Sequence, residues 1–333
     1  MSVCSYCRQT CHVRITPEVL HMKHVLFVMK LCEDEKQRLT ELPGYQFTFA
    51  EDWNLPEEVF KETEIILGNP RMEVLKKFRK AEWLQLLSAG ANQYKDIDES
   101  ILLTNAYDVF GEAISEYMIA CVFAVEKVLP GYLGQQKERL WTRLDQPRLI
   151  SGSKVLSVGM GSIGGTFLKK MNLLGAECYG VRRTVHDKPD YVKELYAFDD
   201  LDRILPEADI VALSLPETPE TVHMFNEERM RTMKKDSILI NVGRGSAIDT
   251  EALLKLAREG WFRGVYLDVT DPEPLPLNHP LWNTERVYIT PHISGGSDSN
   301  IIRGRLLDIV SENLKLVSEG KKPLHIVDRK LGY

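Results

Sequence analysis

Short apolar runs alternate with stretches of helical periodicity along most of the 333-residue chain. An uninterrupted apolar run bounded by polar residues or glycine indicates a strand that is buried on both faces. Such runs lie at 24–29, 47–50, 64–67, 84–87 and 101–103, and again at 155–158, 176–181, 210–213, 237–241, 264–267 and 287–289. The clearest helical patterns cover 72–80, 113–128, 250–259 and 301–319. Strands that alternate with helices predict an α/β fold with parallel sheets covered on both faces.

The strands fall into two groups, which indicates two domains in a chain of this length. The long apolar helix of 113–128 separates the groups, and we expect Pro130-Gly131 to end it. The polar stretch 135–151 is then a connection or an exposed helix.

Charge and composition limit the partners that we expect. The net charge of −6 gives no reason to expect nucleic acid. No apolar stretch is long enough to span a bilayer, and the run at 24–31 is too short for a signal-peptide core. We therefore expect a cytoplasmic protein without a membrane partner.

Six cysteines in a chain of this length do not indicate a disulfide framework. Cys4, Cys7, Cys11 and His12 resemble a metal clip, but no second half of a site follows them. We expect no metal, and we interpret residues 1–21 as a disordered extension. The cysteines that we expect in the core are Cys32, Cys121 and Cys178.

A glycine-rich turn follows the apolar run that begins the second group, where 155–165 reads VLSVGMGSIGG. Gly159 would allow a sharp turn, Gly161 would let the backbone approach a pyrophosphate, and Gly164 would let the next helix pack against the strand. The start of that helix offers free N–H groups to phosphates. The residues that we expect to bind a dinucleotide here are Gly159, Gly161, Ser162, Ile163 and Gly164.

The residue that should meet the adenosine ribose lies at the end of the next strand, 176–181. This position normally carries an acid that binds the ribose 2′-hydroxyl, but here it is Arg182, followed by Arg183 and Thr184. A guanidinium would pair with a 2′-phosphate instead. We therefore predict NADP(H) over NAD(H), with ordinary surface arginines as the alternative interpretation.

Polar residues follow three later strands, at the edge where open α/β sheets bind ligands. Arg244 lies between glycines after 237–241 and could grip a carboxylate with two hydrogen bonds. Acids follow 264–267, and His292 follows 287–289. A neighbouring carboxylate would favour the protonated imidazole, which is the general acid needed to reduce a carbonyl. A surface arginine and a structural histidine are the alternatives.

The order of these motifs resembles the D-isomer-specific 2-hydroxyacid dehydrogenases over about residues 22–333. Within that family the chain is most similar to the glyoxylate/hydroxypyruvate reductase A group, through its ending 327–333, VDRKLGY, and the arginine after its second strand. The resemblance implies two Rossmann-like, doubly wound parallel-sheet domains with a cleft between them. Residues 22–105 and 293–333 would form a flavodoxin-like substrate-binding domain, and 106–292 would bind NAD(P).

The resemblance also implies roles for individual residues. Arg244 would bind the substrate carboxylate and polarise the keto oxygen, His292 would donate the proton, and Glu273 would hold His292. Asp268 would contact the nicotinamide carboxamide. The other residues expected beside the cofactor are Leu215, Pro216, Val242 and Gly243, together with Arg244 and His292.

The loop Gly90-Ala91-Asn92 would bind the substrate from the other domain, together with Arg244 and His292. The family usually has Val-Asp after Gly-Ala, whereas this chain has Asn92-Gln93. The stretch 270–272 also lacks the family's common aromatic residue. Asn92 is polar and lies near the predicted pocket, so the first of these differences bears on substrate choice.

The function implied is NADPH-dependent reduction of a small 2-oxo acid, such as glyoxylate or hydroxypyruvate, to the D-2-hydroxy acid. NAD(H) remains an alternative cofactor, and a homodimer through the cofactor domains is expected. The alternatives are an enzyme for a bulkier 2-oxo acid or 3-phosphoglycerate, and a dinucleotide-sensing protein that has lost its catalytic activity.

Overall fold

The computed structural model describes residues 22–144, 146–296 and 299–332. The predictions for residues 1–21, including the cysteine cluster, lie outside this part of the chain. Within it, no helix is both long and apolar enough to cross a membrane. The described residues also contain no group of His, Cys, Asp or Glu side chains arranged to hold a metal ion.

The first sheet consists of five parallel strands in the order β2-β1-β3-β4-β5. This is the flavodoxin-like order. The strands are β1 Lys23–Val28, β2 Tyr45–Ala50, β3 Ile65–Leu67, β4 Trp83–Gln85 and β5 Leu102–Thr104. Helices α1 Glu33–Thr40, α2 Glu57–Glu62 and α3 Met72–Leu75 connect them.

The second sheet has seven parallel strands in the order β12-β11-β10-β9-β6-β7-β8. Its strands are β6 Lys154–Val158, β7 Glu177–Val181, β8 Glu194–Tyr196, β9 Ile210–Leu213, β10 Ile238–Asn241, β11 Gly264–Leu267 and β12 Val287–Ile289. Its helices are α4 Gly111–Glu126, α5 Leu129–Lys137, α6 Ser162–Leu173, α7 Leu201–Ile204, α8 Glu227–Thr232 and α9 Thr250–Arg258. The strand order reverses between β6 and β9, which is where doubly wound sheets open a ligand crevice. The predicted fold class, two parallel-sheet α/β domains, is confirmed.

The last helix, α10 Asn300–Ser318, packs against both domains. Its Leu307 and Leu314 lie in the apolar core of the first sheet. Its Ile302 and Leu306 lie in a core that includes α4 and the second sheet. The segment after it returns to the first sheet, where Ile326 forms an antiparallel bridge with Thr104. The end of the chain therefore lies beside the segment that leads from β5 towards α4.

Several local predictions were wrong. Pro130 lies in the first turn of a new helix, α5, instead of ending the chain's helical segment, because proline is tolerated in the first turn of a helix. The helix predicted at 72–80 ends at Leu75. Strand β8 was missed, since Leu195 is its one buried residue and gives no apolar pattern. Cys32 is exposed at the start of α1 instead of lying in the core.

Candidate active site

The glycine-rich turn joins β6 to α6 at the point where the strand order reverses. Gly159 has a φ of 101°, in the left-handed region that favours glycine. A side chain at Gly164 would overlap the carbonyl oxygen of Gly159. Ser162 and Ile163 begin α6, where backbone N–H groups have no acceptor within the helix. The turn therefore provides a cradle for an anionic group.

Arg182 lies immediately after β7, whose last residue, Val181, pairs with Val158 at the end of β6. Its side chain is half-buried, and among the described residues its Nε and Nη2 atoms have no hydrogen-bond partner. Nη2 of Arg183 lies 3.0 Å from a carboxylate oxygen of Glu220. Thr184 is exposed. Buried guanidinium N–H groups without a partner fit a site for a bound anion.

Arg244 follows β10 in a turn held by Asn241. The Asn241 amide donates to the carbonyl oxygen of Arg244 over 2.8 Å and accepts from the backbone N–H of Gly243 over 3.1 Å. Nη1 of Arg244 donates to the Gly243 carbonyl at 2.7 Å. Burial lowers the pKa of the guanidinium, and the carboxylates of Glu217 and Glu273 oppose that effect. An arginine stays charged even so, and the buried charge favours an anionic ligand.

The loop after β4 meets Arg244 across the domain boundary. A side chain at Gly90 would overlap Nη2 of Arg244, so a larger residue there would displace the guanidinium. Ala91 is buried, and the side chain of Asn92 donates to the backbone carbonyl of Glu217 over 2.6 Å. The loop and the guanidinium together form one wall of the cleft.

His292 and Glu273 form a close pair. Nδ1 of His292 lies 2.7 Å from Oε1 of Glu273. The side chains are 48% and 43% exposed, so the pair is open to solvent. Because a carboxylate accepts at Nδ1, Nε2 is the ring nitrogen left to contact a ligand. His292 has a φ of 53°, an unusual backbone conformation for a residue other than glycine.

Asp268 holds the turn that carries His292. Its buried carboxylate accepts hydrogen bonds from the hydroxyl of Thr290 at 2.7 Å and from the backbone N–H groups of Ile293 and Ser294, each at 2.9 Å. The hydroxyl of Tyr117 on α4 lies 2.6 Å from that of Thr290. Both carboxylate oxygens are therefore occupied by the backbone and hydroxyl groups around His292.

The structure places the remaining predicted residues at the same edge. Leu215 and Val242 are buried, Pro216 is half-buried, and Gly243 packs against the backbone of Leu215. Sequence reasoning missed Glu217 and Thr290. Their positions gave a signal, since Glu217 directly follows the predicted residue Pro216, and Thr290 directly follows β12, two residues before His292.

A family model described as the NAD-binding domain of D-isomer-specific 2-hydroxyacid dehydrogenases matches residues 119–294. The chain belongs to this family. It is an NAD(P)-dependent oxidoreductase that reduces 2-oxo acids.

Similar proteins from other organisms agree with the family assignment. A glyoxylate reductase from Pyrococcus horikoshii is 32% identical over 334 residues, which cover 93% of this chain and 97% of that protein. The crystal structure of a family member from Aeromonas salmonicida is 29% identical, with a TM-score of 0.84 over 92% of this chain and 99% of that one. A family member from Xanthobacter autotrophicus, solved with NADPH and MES, is 25% identical, with a TM-score of 0.80 over 94% and 100%.

Proposed function

We propose that this dehydrogenase uses NADPH to reduce glyoxylate, hydroxypyruvate or a similarly small 2-oxo acid to the D-2-hydroxy acid, with His292 as the proton donor. The observation that carries the proposal is the 2.7 Å contact between His292 and Glu273 at the strand edge that also carries Arg244. Residues 22–105 with 293–333 would bind the substrate, and 106–292 would hold the dinucleotide.

Arg244 binds the carboxylate of the substrate. Its guanidinium is half-buried and touches the Gly90 loop, so a 2-oxo acid held there lies between the two domains. Charge-assisted hydrogen bonds fix the orientation of a carboxylate. The same positive charge stabilises the oxyanion that develops on the carbonyl oxygen during reduction.

His292 supplies the proton to that oxygen from Nε2. Glu273 accepts from Nδ1, which fixes the orientation of the ring and leaves Nε2 to face the substrate. The turn held by Asp268 sets the position of the ring. The bound nicotinamide dinucleotide supplies the hydride.

The residues present fit a dinucleotide with a 2′-phosphate. The pyrophosphate would lie on the N–H groups at the start of α6. The unpartnered Nε and Nη2 of Arg182 would pair with the 2′-phosphate. The NADPH in the structure of the Xanthobacter relative supports this preference.

A homodimer through the cofactor domain is also proposed. The segment 129–149 carries apolar side chains that a monomer would leave in water, namely Leu129, Leu133, Leu140, Trp141 and Leu149. Light scattering of the purified protein would report twice the mass of the chain.

The test of the function is oxidation of NADPH and of NADH with glyoxylate, hydroxypyruvate and bulkier 2-oxo acids. We expect turnover with the small acids, a D-configured product where the product is chiral, and a higher kcat/KM with NADPH. Absence of turnover with every acid by a folded protein that binds NADPH would reject the enzyme and favour a sensing role. Faster turnover with bulky acids would reject only the proposed substrate size.

A further inference from the structure

The hydroxyl of Tyr107 lies at the glycine-rich turn, although Tyr107 comes from a distant part of the chain. It is in the connection between the domains, after β5 and before α4. The backbone N–H of Ser162 donates to this hydroxyl over 3.0 Å. A side chain at Gly161 would lie 2.7 Å from the same oxygen. The hydroxyl thus fills space that the glycine leaves open.

This space is the place where the turn would receive the pyrophosphate. The first hydrogen bond inside α6 runs from Gly165 to Gly161, so the N–H of Ser162 has no acceptor within the helix. In doubly wound dinucleotide-binding folds the pyrophosphate binds at this helix start. The tyrosine oxygen therefore accepts a hydrogen bond that a phosphate oxygen would otherwise accept.

We propose that Tyr107 is an internal competitor of the dinucleotide, whose hydroxyl satisfies the N–H of Ser162 in the free enzyme and must leave when the pyrophosphate binds. The residue is 39% exposed, so its ring can rotate out of the turn, and that rotation also breaks the contact with the His325 ring, whose centroid lies 5.8 Å away. Rotation of an exposed side chain is also fast compared with ligand exchange. Tyr107 thereby sets the affinity for the cofactor without changing which cofactor is chosen.

The size of the effect follows from the one hydrogen bond that is exchanged. Removing a single net hydrogen bond from the free state should tighten dinucleotide binding by about two- to tenfold. The effect should be similar for NADPH and NADH, because the two share the pyrophosphate and differ only at the ribose.

The experiment compares Tyr107→Phe with the wild type by fluorescence titration of NADPH and NADH, with no substrate present. Tyr107→Leu, which also lacks the hydroxyl, is the second variant. Tyr45→Phe is the matched control, since it also removes one hydroxyl hydrogen bond, to the Leu314 carbonyl, far from the turn. Inorganic pyrophosphate, titrated as a competitor of the dinucleotide, probes the phosphate cradle alone.

We expect lower Kd values for both dinucleotides and for pyrophosphate in both Tyr107 variants, and unchanged values in the control. Weaker binding in Tyr107→Phe would overturn the proposal, because the hydroxyl would then be a ligand of the phosphate. Unchanged binding would overturn it as well. No turnover is measured, so the result does not depend on the substrate or on His292. A wild type that prefers NADH would refute the proposed cofactor preference and leave the Tyr107 comparison intact.

Discussion

Asp268→Asn should impair catalysis by releasing the turn that carries His292. The carboxylate accepts three hydrogen bonds, from the hydroxyl of Thr290 and from the backbone N–H groups of Ile293 and Ser294. Ile293 and Ser294 donate to different oxygens of the carboxylate. An amide has one accepting oxygen, so in either orientation its NH₂ group faces one of these N–H donors.

The magnitude follows from that single lost acceptor. A buried donor left without a partner costs about 1–3 kcal/mol. If the turn relaxes to recover the bond, the position of the imidazole is lost, and kcat should fall by about tenfold to a hundredfold. The KM for the 2-oxo acid should change less, because Arg244 and its supporting turn are untouched.

Steady-state kinetics with saturating NADPH would separate the two parameters. Asp271→Asn is the matched control, since it makes the same chemical change three residues away on an exposed side chain. The interpretation also requires NADPH to bind Asp268→Asn nearly as tightly as the wild type. A weakened Kd with an unchanged maximal rate would show instead that Asp268 serves the nicotinamide carboxamide. A kcat within twofold of the wild type would refute the anchoring role.

Three further predictions concern the cofactor, the substrate and the assembly. Arg182→Ala should raise the KM for NADPH by about tenfold to a hundredfold and the KM for NADH by much less, since a charged hydrogen-bonded contact is lost. The control Arg258→Ala, at an exposed position, should alter neither KM. Equal effects on both cofactors would contradict the assignment. Gly90→Ala should raise the KM for the 2-oxo acid at least about tenfold by displacing the adjacent guanidinium, while titration shows an unchanged Kd for NADPH. Trp141→Ser should shift the protein toward monomer in sedimentation experiments. The control Leu277→Ser, at a similarly exposed apolar residue, should not. A monomeric wild type would refute the proposed interface.

The order of the apolar runs explains why the predicted site residues lie at one edge of a sheet. Arg244, Asp268 and His292 each follow an apolar run within three residues, and those runs form the neighbouring parallel strands β10, β11 and β12. Parallel strands end at the same edge, so residues far apart in the chain meet there. The apolar pattern was therefore enough to predict the fold class and the edge of the sheet that carries the site.

Contacts between the domains could not be predicted in this way. Asn92 reaches the carbonyl of Glu217, and Gly90 makes room for Arg244, through the placement of one sheet against the other. No periodicity within either segment encodes that placement. The position of Asp268 was predicted. Its three hydrogen bonds to the turn that carries His292 were not, because they depend on the path of a loop in which His292 has a positive φ, and no apolar pattern marks such a loop.

The most direct test of the central claim is single-turnover reduction of glyoxylate with NADPH by wild-type protein and His292→Asn. Asparagine keeps a hydrogen-bonding side chain but cannot deliver a proton as an imidazolium does, so the rate of NADPH oxidation should fall by about a hundredfold or more. The variant should still bind NADPH with nearly the wild-type Kd. A variant that consumes NADPH at close to the wild-type rate would contradict the assignment of His292 as the proton donor.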